Sequence, residues 1–280
     1  MHINTAKTFI EIIETGSFFK ASEQLHVTQS TISMRINALE ENLGQKLFIR
    51  NKAGVKPTPA GLKFYKYAVQ ITQSWQQAQL EIALPQGIDK YLQFVCDYNV
   101  PHQTMINVLN HFCASNQHYA SSLKFANDRD IARGIKSGQF DIAFSYHPQI
   151  NNELRFCEAF QETLILVSKE PRELMHWDPD YVYVDYAKSF RDQHKLIYPI
   201  DETPKITLHS SDLALQYILQ NGGSAYLRES SCQKHISEKA LYRVPNAPSI
   251  SLSCYLLYTK GLDEQLWFKH LFNYLNKLSI

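Results

Sequence analysis

Residues 28–35 read Thr-Gln-Ser-Thr-Ile-Ser-Met-Arg, and the chemistry they offer is hydrogen bonding to a polar partner. Thr28 suits a helix N-cap, since its hydroxyl can accept one of the unpaired N–H groups of a first turn. A helix built only for packing would continue with strong helix formers. Here Gln29, Ser30, Thr31 and Ser33 follow instead, with Arg35 just past the first turn. A glutamine amide can pair bidentately with an adenine edge, and a threonine methyl can meet a thymine methyl. Serine hydroxyls reach base or phosphate, and the free amides of a helix start attract phosphate. The plainer alternative is a capped core helix with a Ser/Thr-rich first turn.

The surrounding elements bear on that choice. Phe9, Ile12 and Ile13 recur at helical spacing between Asn4 and Thr15, and Gly16 stops the helix. Ser17 can cap a second helix, Phe18 to Leu25, with Ala21 and Leu25 inward. After the short link His26-Val27, Thr28 opens a third helix with Ile32, Ile36, Leu39 and Leu43 as its apolar stripe, ended by Gly44. Two short helices, a tight turn and a polar-tipped third helix predict a helix-turn-helix, whose second element enters a major groove. "KLFIRNKAGVKPTPAG" (46–61) then predicts a hairpin turning at Asn51 to Gly54, with Arg50, Lys52 and Lys56 placed to hold phosphates.

Charge distribution agrees. The whole chain of 280 residues has a formal net charge of +1, yet residues 1–66 carry nine Lys/Arg against five acids, a balance of +4. The remainder is −3. A basic head on a slightly acidic body suits a phosphate-binding module joined to another domain. The length suits about two domains. No apolar run reaches the roughly 18–20 residues of a membrane helix. The acidic N-terminal segment does not read as a signal peptide, so a cytoplasmic protein is expected. Five scattered cysteines, never in CxxC spacing, predict reduced thiols and no metal site.

The stretch 9–61 resembles the winged helix-turn-helix of LysR-type transcriptional regulators. The resemblance rests on A-x-x-L-x-x-T-Q-S (Ala21, Leu25, Thr28, Gln29, Ser30), L-E-x-x-L-G-x-x-L-F-x-R (Leu39 to Arg50) and T-x-A-G (Thr58 to Gly61). The family usually has Ser-Arg-Gln-Ile in its reading helix, where this chain has Ser33-Met34-Arg35-Ile36. The base is shifted by one residue, about 100° around the helix. One branch of the family, resembling a repressor of the flagellar master operon, shares the shift.

From Thr58 a long helix is expected, with Thr58 as cap, Pro59 at its first position, and Pro85 and Gly87 at its end. Leu62, Tyr65, Val69, Thr72, Trp75, Gln79 and Ile82 form its stripe, which needs either a second copy in a coiled coil or its own chain as partner. The resemblance favours pairing, as a homodimer or homotetramer. Residues 90–280 alternate strands and helices, predicting a parallel doubly wound sheet in two lobes. "GQFDIA" (138–143) and "QNGGSAYLR" (220–228) resemble family motifs there, with Asn221 and Arg228 replacing a glycine and a proline.

The expected fold is α+β multidomain: a winged helix-turn-helix (1–58), a linker helix (59–86) and a two-lobed α/β effector domain like periplasmic binding proteins (90–280). Lobe I would span about 90–162 and 265–280, lobe II about 163–264. The resemblance implies a small-molecule effector between the lobes. Ligands in such sheets sit beyond strand carboxyl ends, which offers Asn99, Val100, Pro101, His102, Tyr146, His147, Ser210 and Ser211, although Ser210 or Ser211 could equally cap a helix. Tyr181, Tyr183, Tyr186, Phe190 and His194 read as strand packing with surface tyrosines, or as a ring-lined ligand site. "HSSD" invites a triad, but GxSxG, HExxH, P-loop and GxGxxG are all missing, so no catalytic residue, metal or cofactor is assigned. The expected partners are double-stranded DNA, a second copy, an effector and, as an admissible addition, RNA polymerase. An architectural DNA-binding protein with a ligand-blind body is the alternative, with a hydrolase further behind.

Overall fold

A computed structural model describes residues 2–51, 54–148, 154–173, 177–198 and 203–278. The chain divides near Asp89 into two compact units.

The N-terminal unit contains α1 (Ile3–Thr15), α2 (Phe18–Gln24), α3 (Gln29–Leu43), the hairpin of β1 (Phe48–Asn51) and β2 (Gly54–Pro57), and α4 (Pro59–Ile82). The boundaries follow from local chemistry. Ser17, Thr28 and Thr58 each accept a backbone N–H of the turn they open, while Gly16 and Gly44 end α1 and α3 in the left-handed conformation. Phe9, Ile12, Phe18, Ile32, Ile36, Leu39 and Phe48 form the core beneath them. Phe9 packs between Phe48 and Phe64, with ring centroids 5.0 and 4.9 Å away. Leu43, expected inward, is instead 45% exposed. It is the last residue of α3, past the end of the underlying core.

The C-terminal unit runs β3 (Lys90–Asp97), α5 (His102–Ser115), β4 (Tyr119–Ala126), α6 (Asp128–Ser137), β5 (Ile142–Ser145), β6 (Leu154–Ser168), β7 (Val182–Val184), α7 (Lys188–Ile197), β8 (Ile206–Leu208), α8 (Ser211–Asn221), β9 (Ser224–Arg228), α9 (Glu229–Ser237), β10 (Tyr242–Arg243), β11 (Ile250–Thr259) and α10 (Leu266–Leu278). A seven-stranded sheet has the order β10-β6-β11-β5-β3-β4, with β9 also on β6. Only β3, β4 and β5 are parallel within it; β11 runs antiparallel to β5 and β6, as β6 does to β9 and β10. The sheet is therefore mixed where a parallel one was expected. The cause is two long strands shared by both lobes. The first residues of β6 pair with β11 beside β5, and Leu164 to Ser168 pair with β9. In the second lobe β7 and β8 are parallel, and Tyr181 bridges to Ser224 in β9.

Candidate nucleic-acid interface and ligand cleft

The outward face of α3 begins at its cap. Thr28 Oγ1 accepts Thr31 N at 3.2 Å and lies 2.8 and 2.9 Å from the hydroxyls of Ser30 and Thr31. Gln29 and Ser30 are exposed, and Thr31 and Ser33 are half-buried. Met34 projects outward as well, at 65% exposure. Arg35 turns the other way. Its Nη1 donates to Thr8 Oγ1 at 3.1 Å, and Thr8 is wholly buried in α1. The one-residue shift thus sets a thioether on the outer face and spends the guanidinium partly on holding α3 to α1.

The wing is fastened by a residue that the sequence showed only as part of a motif. Glu40 is buried; its Oε1 accepts Leu47 N at 2.9 Å and Phe48 N at 3.3 Å, and its Oε2 accepts Lys46 Nζ at 2.7 Å. Burial alone would raise its pKa, but Lys46 and the two backbone donors hold it below the ordinary carboxylate value. Val55 N donates to Gly16 O at 3.2 Å, tying β2 to the α1–α2 corner. Lys56 is exposed on β2, and Arg50 falls in β1 opposite Val55. Lys52 lies outside the described residues.

Along α4 the expected stripe splits. Thr72 is buried and Tyr65 and Val69 half-buried, whereas Leu62, Tyr67, Ile71, Trp75, Leu80 and Ile82 are the exposed large apolar residues. Tyr67, Ile71 and Trp75 repeat every four residues on the outer side.

In the C-terminal unit a cavity of about 440 Å³ opens where strands of both lobes end. Asp97 ends β3 and Asn99 follows it, Asp128 follows β4, and His147 follows β5; the second lobe adds Asp185 after β7 and His209 after β8. Asn99 and His147 were foreseen. Val100 is wholly buried in the core, and Tyr146 and Ser211 are 2% exposed and enclosed by protein. None of the three lines this cavity. Pro101, His102 and Ser210 also do not line this cavity. Ser210 instead caps α8 by accepting Leu213 N at 3.3 Å.

Asn99 ties the lobes together. Its Nδ2 donates to Asp185 O at 3.0 Å and its Oδ1 accepts Ser211 N at 3.1 Å, while Arg228 Nη2 donates to its carbonyl oxygen. Arg228, 1% exposed, also bonds Asp212 at 3.0 Å and sits 3.3 Å from Glu162, which accepts the hydroxyl of Tyr146. Burial raises the Glu162 pKa even against the pull of Arg228 and Tyr146. The ring cluster is mostly core, and of its members Tyr186 also lines the cavity. Tyr181, Tyr186, Phe190 and His194 are buried, so these tyrosines are not at the surface, and Tyr181 Oη lies 2.9 Å from His194 Nε2.

Residues 3–62 match the profile of the bacterial regulatory helix-turn-helix protein, lysR family, and residues 85–278 match the LysR substrate binding domain. The chain belongs to the LysR family. It is 27% identical over 271 residues to the HTH-type transcriptional regulator HdfR of Escherichia coli O45:K1, covering 94% of each chain. The fold is that of CbnR, a LysR family transcriptional regulator (TM-score 0.66, 18% identity, all of both chains). It is also that of full-length CbnR complexed with its target DNA (TM-score 0.65, 17% identity, 99% of this chain and 100% of that one). As a LysR-family protein the chain is a DNA-binding transcriptional regulator with an effector-binding domain. Among the described residues no helix is long and apolar enough to cross a membrane. The cleft residues that sequence reasoning missed in this LysR-type domain are Asp97, Tyr98, Asn127, Asp128, Asp185, Arg191 and His209. The strand-end rule would have reached several of them had it been applied after β4, β7 and β8.

Proposed function

We propose that the protein acts in the cytoplasm as a homodimer or homotetramer that binds an inverted-repeat operator and changes its hold on DNA when a small molecule occupies the interlobe cavity. The observation that carries this reading is the outward face of α3. Gln29, Ser30 and Met34 are exposed above a fully packed helix-turn-helix core, which is what a groove-reading helix requires and a packing helix does not. In this reading Thr28, Gln29, Ser30, Thr31, Ser33 and Met34 meet bases or nearby phosphates. Arg50, Lys52 and Lys56 hold backbone, and Arg35 orients α3 while lending charge. The α4 helix, about 36 Å long at its 24 residues, pairs with a second copy through its exposed apolar side. RNA polymerase is a natural further partner of a promoter-bound regulator.

Fluorescence anisotropy with promoter fragments at several salt concentrations tests the assignment. Lys56→Ala should weaken all sequences alike and reduce the salt slope by about 1. Gln29→Ala should relax base choice by about 1–3 kcal/mol at particular positions. An operator preference unchanged by Gln29→Ala and Met34→Ala together would remove this reading face.

A further inference from the structure

This inference rests on the cavity being the effector site and concerns the class of molecule it takes. Asp97, Asp128 and Asp185 line it from both lobes. Arg191, which also lines it, is committed to Asp185 at 2.8 Å. Neither Asp97 nor Asp128 has an ion-pair partner among the described residues. Asp97 is 7% exposed. One of its carboxylate oxygens accepts Asn99 N at 2.8 Å, and the other accepts no hydrogen bond among the described residues. That oxygen keeps a solvent-accessible face in the cavity, so a cation that enters meets a carboxylate already largely withdrawn from water. Tyr98, half exposed, also lines the cavity.

We propose that the cavity takes an organic cation, a primary amine or guanidinium of about amino-acid size, with its charged end against Asp97 and Asp128. An anion would have to lose its hydration beside two unpaired acids. A lone metal ion would leave most of the volume unfilled, and no three ligating groups converge among the described residues. The electrostatics of Asp97 agree. Burial, then Asp128 and Asp185, push the Asp97 pKa up, opposed by Asn99 N–H and His147. A bound cation relieves those penalties.

Isothermal titration of the full chain with agmatine, putrescine and arginine tests the proposal, with succinate and Mg²⁺ as the anionic and metal controls. At least one amine should bind saturably and more weakly at high salt, while succinate should not bind. Asp97→Asn and Asp128→Asn should each weaken the amine about tenfold or more. Asp97→Asn keeps an oxygen for Asn99 N, and a melting curve checks its fold. Should it unfold, Asp128→Asn carries the comparison. Three amines that fail to bind at millimolar concentration overturn the proposal. So does amine binding indifferent to both substitutions, and so does succinate or Mg²⁺ binding in their place. Succinate binding would leave the effector reading standing and remove only the cation. Failure of a broad metabolite screen would remove both.

Discussion

Glu40 shows how much can hang on one buried carboxylate. It anchors the first residues of the wing by accepting two backbone N–H groups and pairing with Lys46. Glu40→Ala leaves those donors buried and unpaired, and should cost the N-terminal unit about 1–3 kcal/mol in chemical denaturation. Its DNA affinity should fall through loss of wing order. His194 is the counterpart in the other unit. Burial lowers its pKa from 6.5 to about 4, so the folded chain keeps it neutral where the unfolded chain takes a proton. Its contribution is complete above about pH 6.5 and is lost as pH falls towards 4, by up to about 3 kcal/mol. Thermal melting of His194→Phe between pH 7 and 4.5 should show a flatter acid slope than the parent chain.

At the scale of elements, the junction between wing and α4 is tightly closed. Thr58 Oγ1 donates to Lys46 O at 2.7 Å and accepts Gly61 N at 3.0 Å, and a Cβ on Gly61 would stand 2.2 Å from Leu47 O. Backbone cannot yield there as a flexible side chain would. Gly61→Ala should destabilise the N-terminal unit by about 1–3 kcal/mol, read as a lower denaturation midpoint. This explains in physical terms why T-x-A-G could be recognised from sequence: each letter has a local job. The first three helices were legible for the same reason, because Ser17, Thr28, Gly16 and Gly44 mark their ends with side-chain or backbone chemistry. By contrast α7 and α9 begin at Ala187 and Arg228 without a side-chain cap, and β10 is two residues long. Nothing local announces them. The cavity was harder still, because Asp97 and Asp185 meet only after β6 and β7 have folded back, and no periodicity encodes that meeting.

At the scale of the molecule, the exposed Tyr67, Ile71, Trp75 and Ile82 of α4 ask for apolar cover. Trp75→Glu with Ile82→Glu should shift sedimentation towards the monomer and weaken operator binding, since two half-sites would no longer be held together. Ligand binding by the C-terminal unit should survive. The Asn99 side chain grips both lobes through bonds that belong wholly to the protein, and Arg228 donates to its backbone carbonyl from the second lobe. Lobes riveted in this way have no jaw left to shut. A guest in the acidic hollow would therefore leave the outline of this unit unaltered in small-angle scattering, and its arrival would register as a stiffening felt in hydrogen exchange around the rivet.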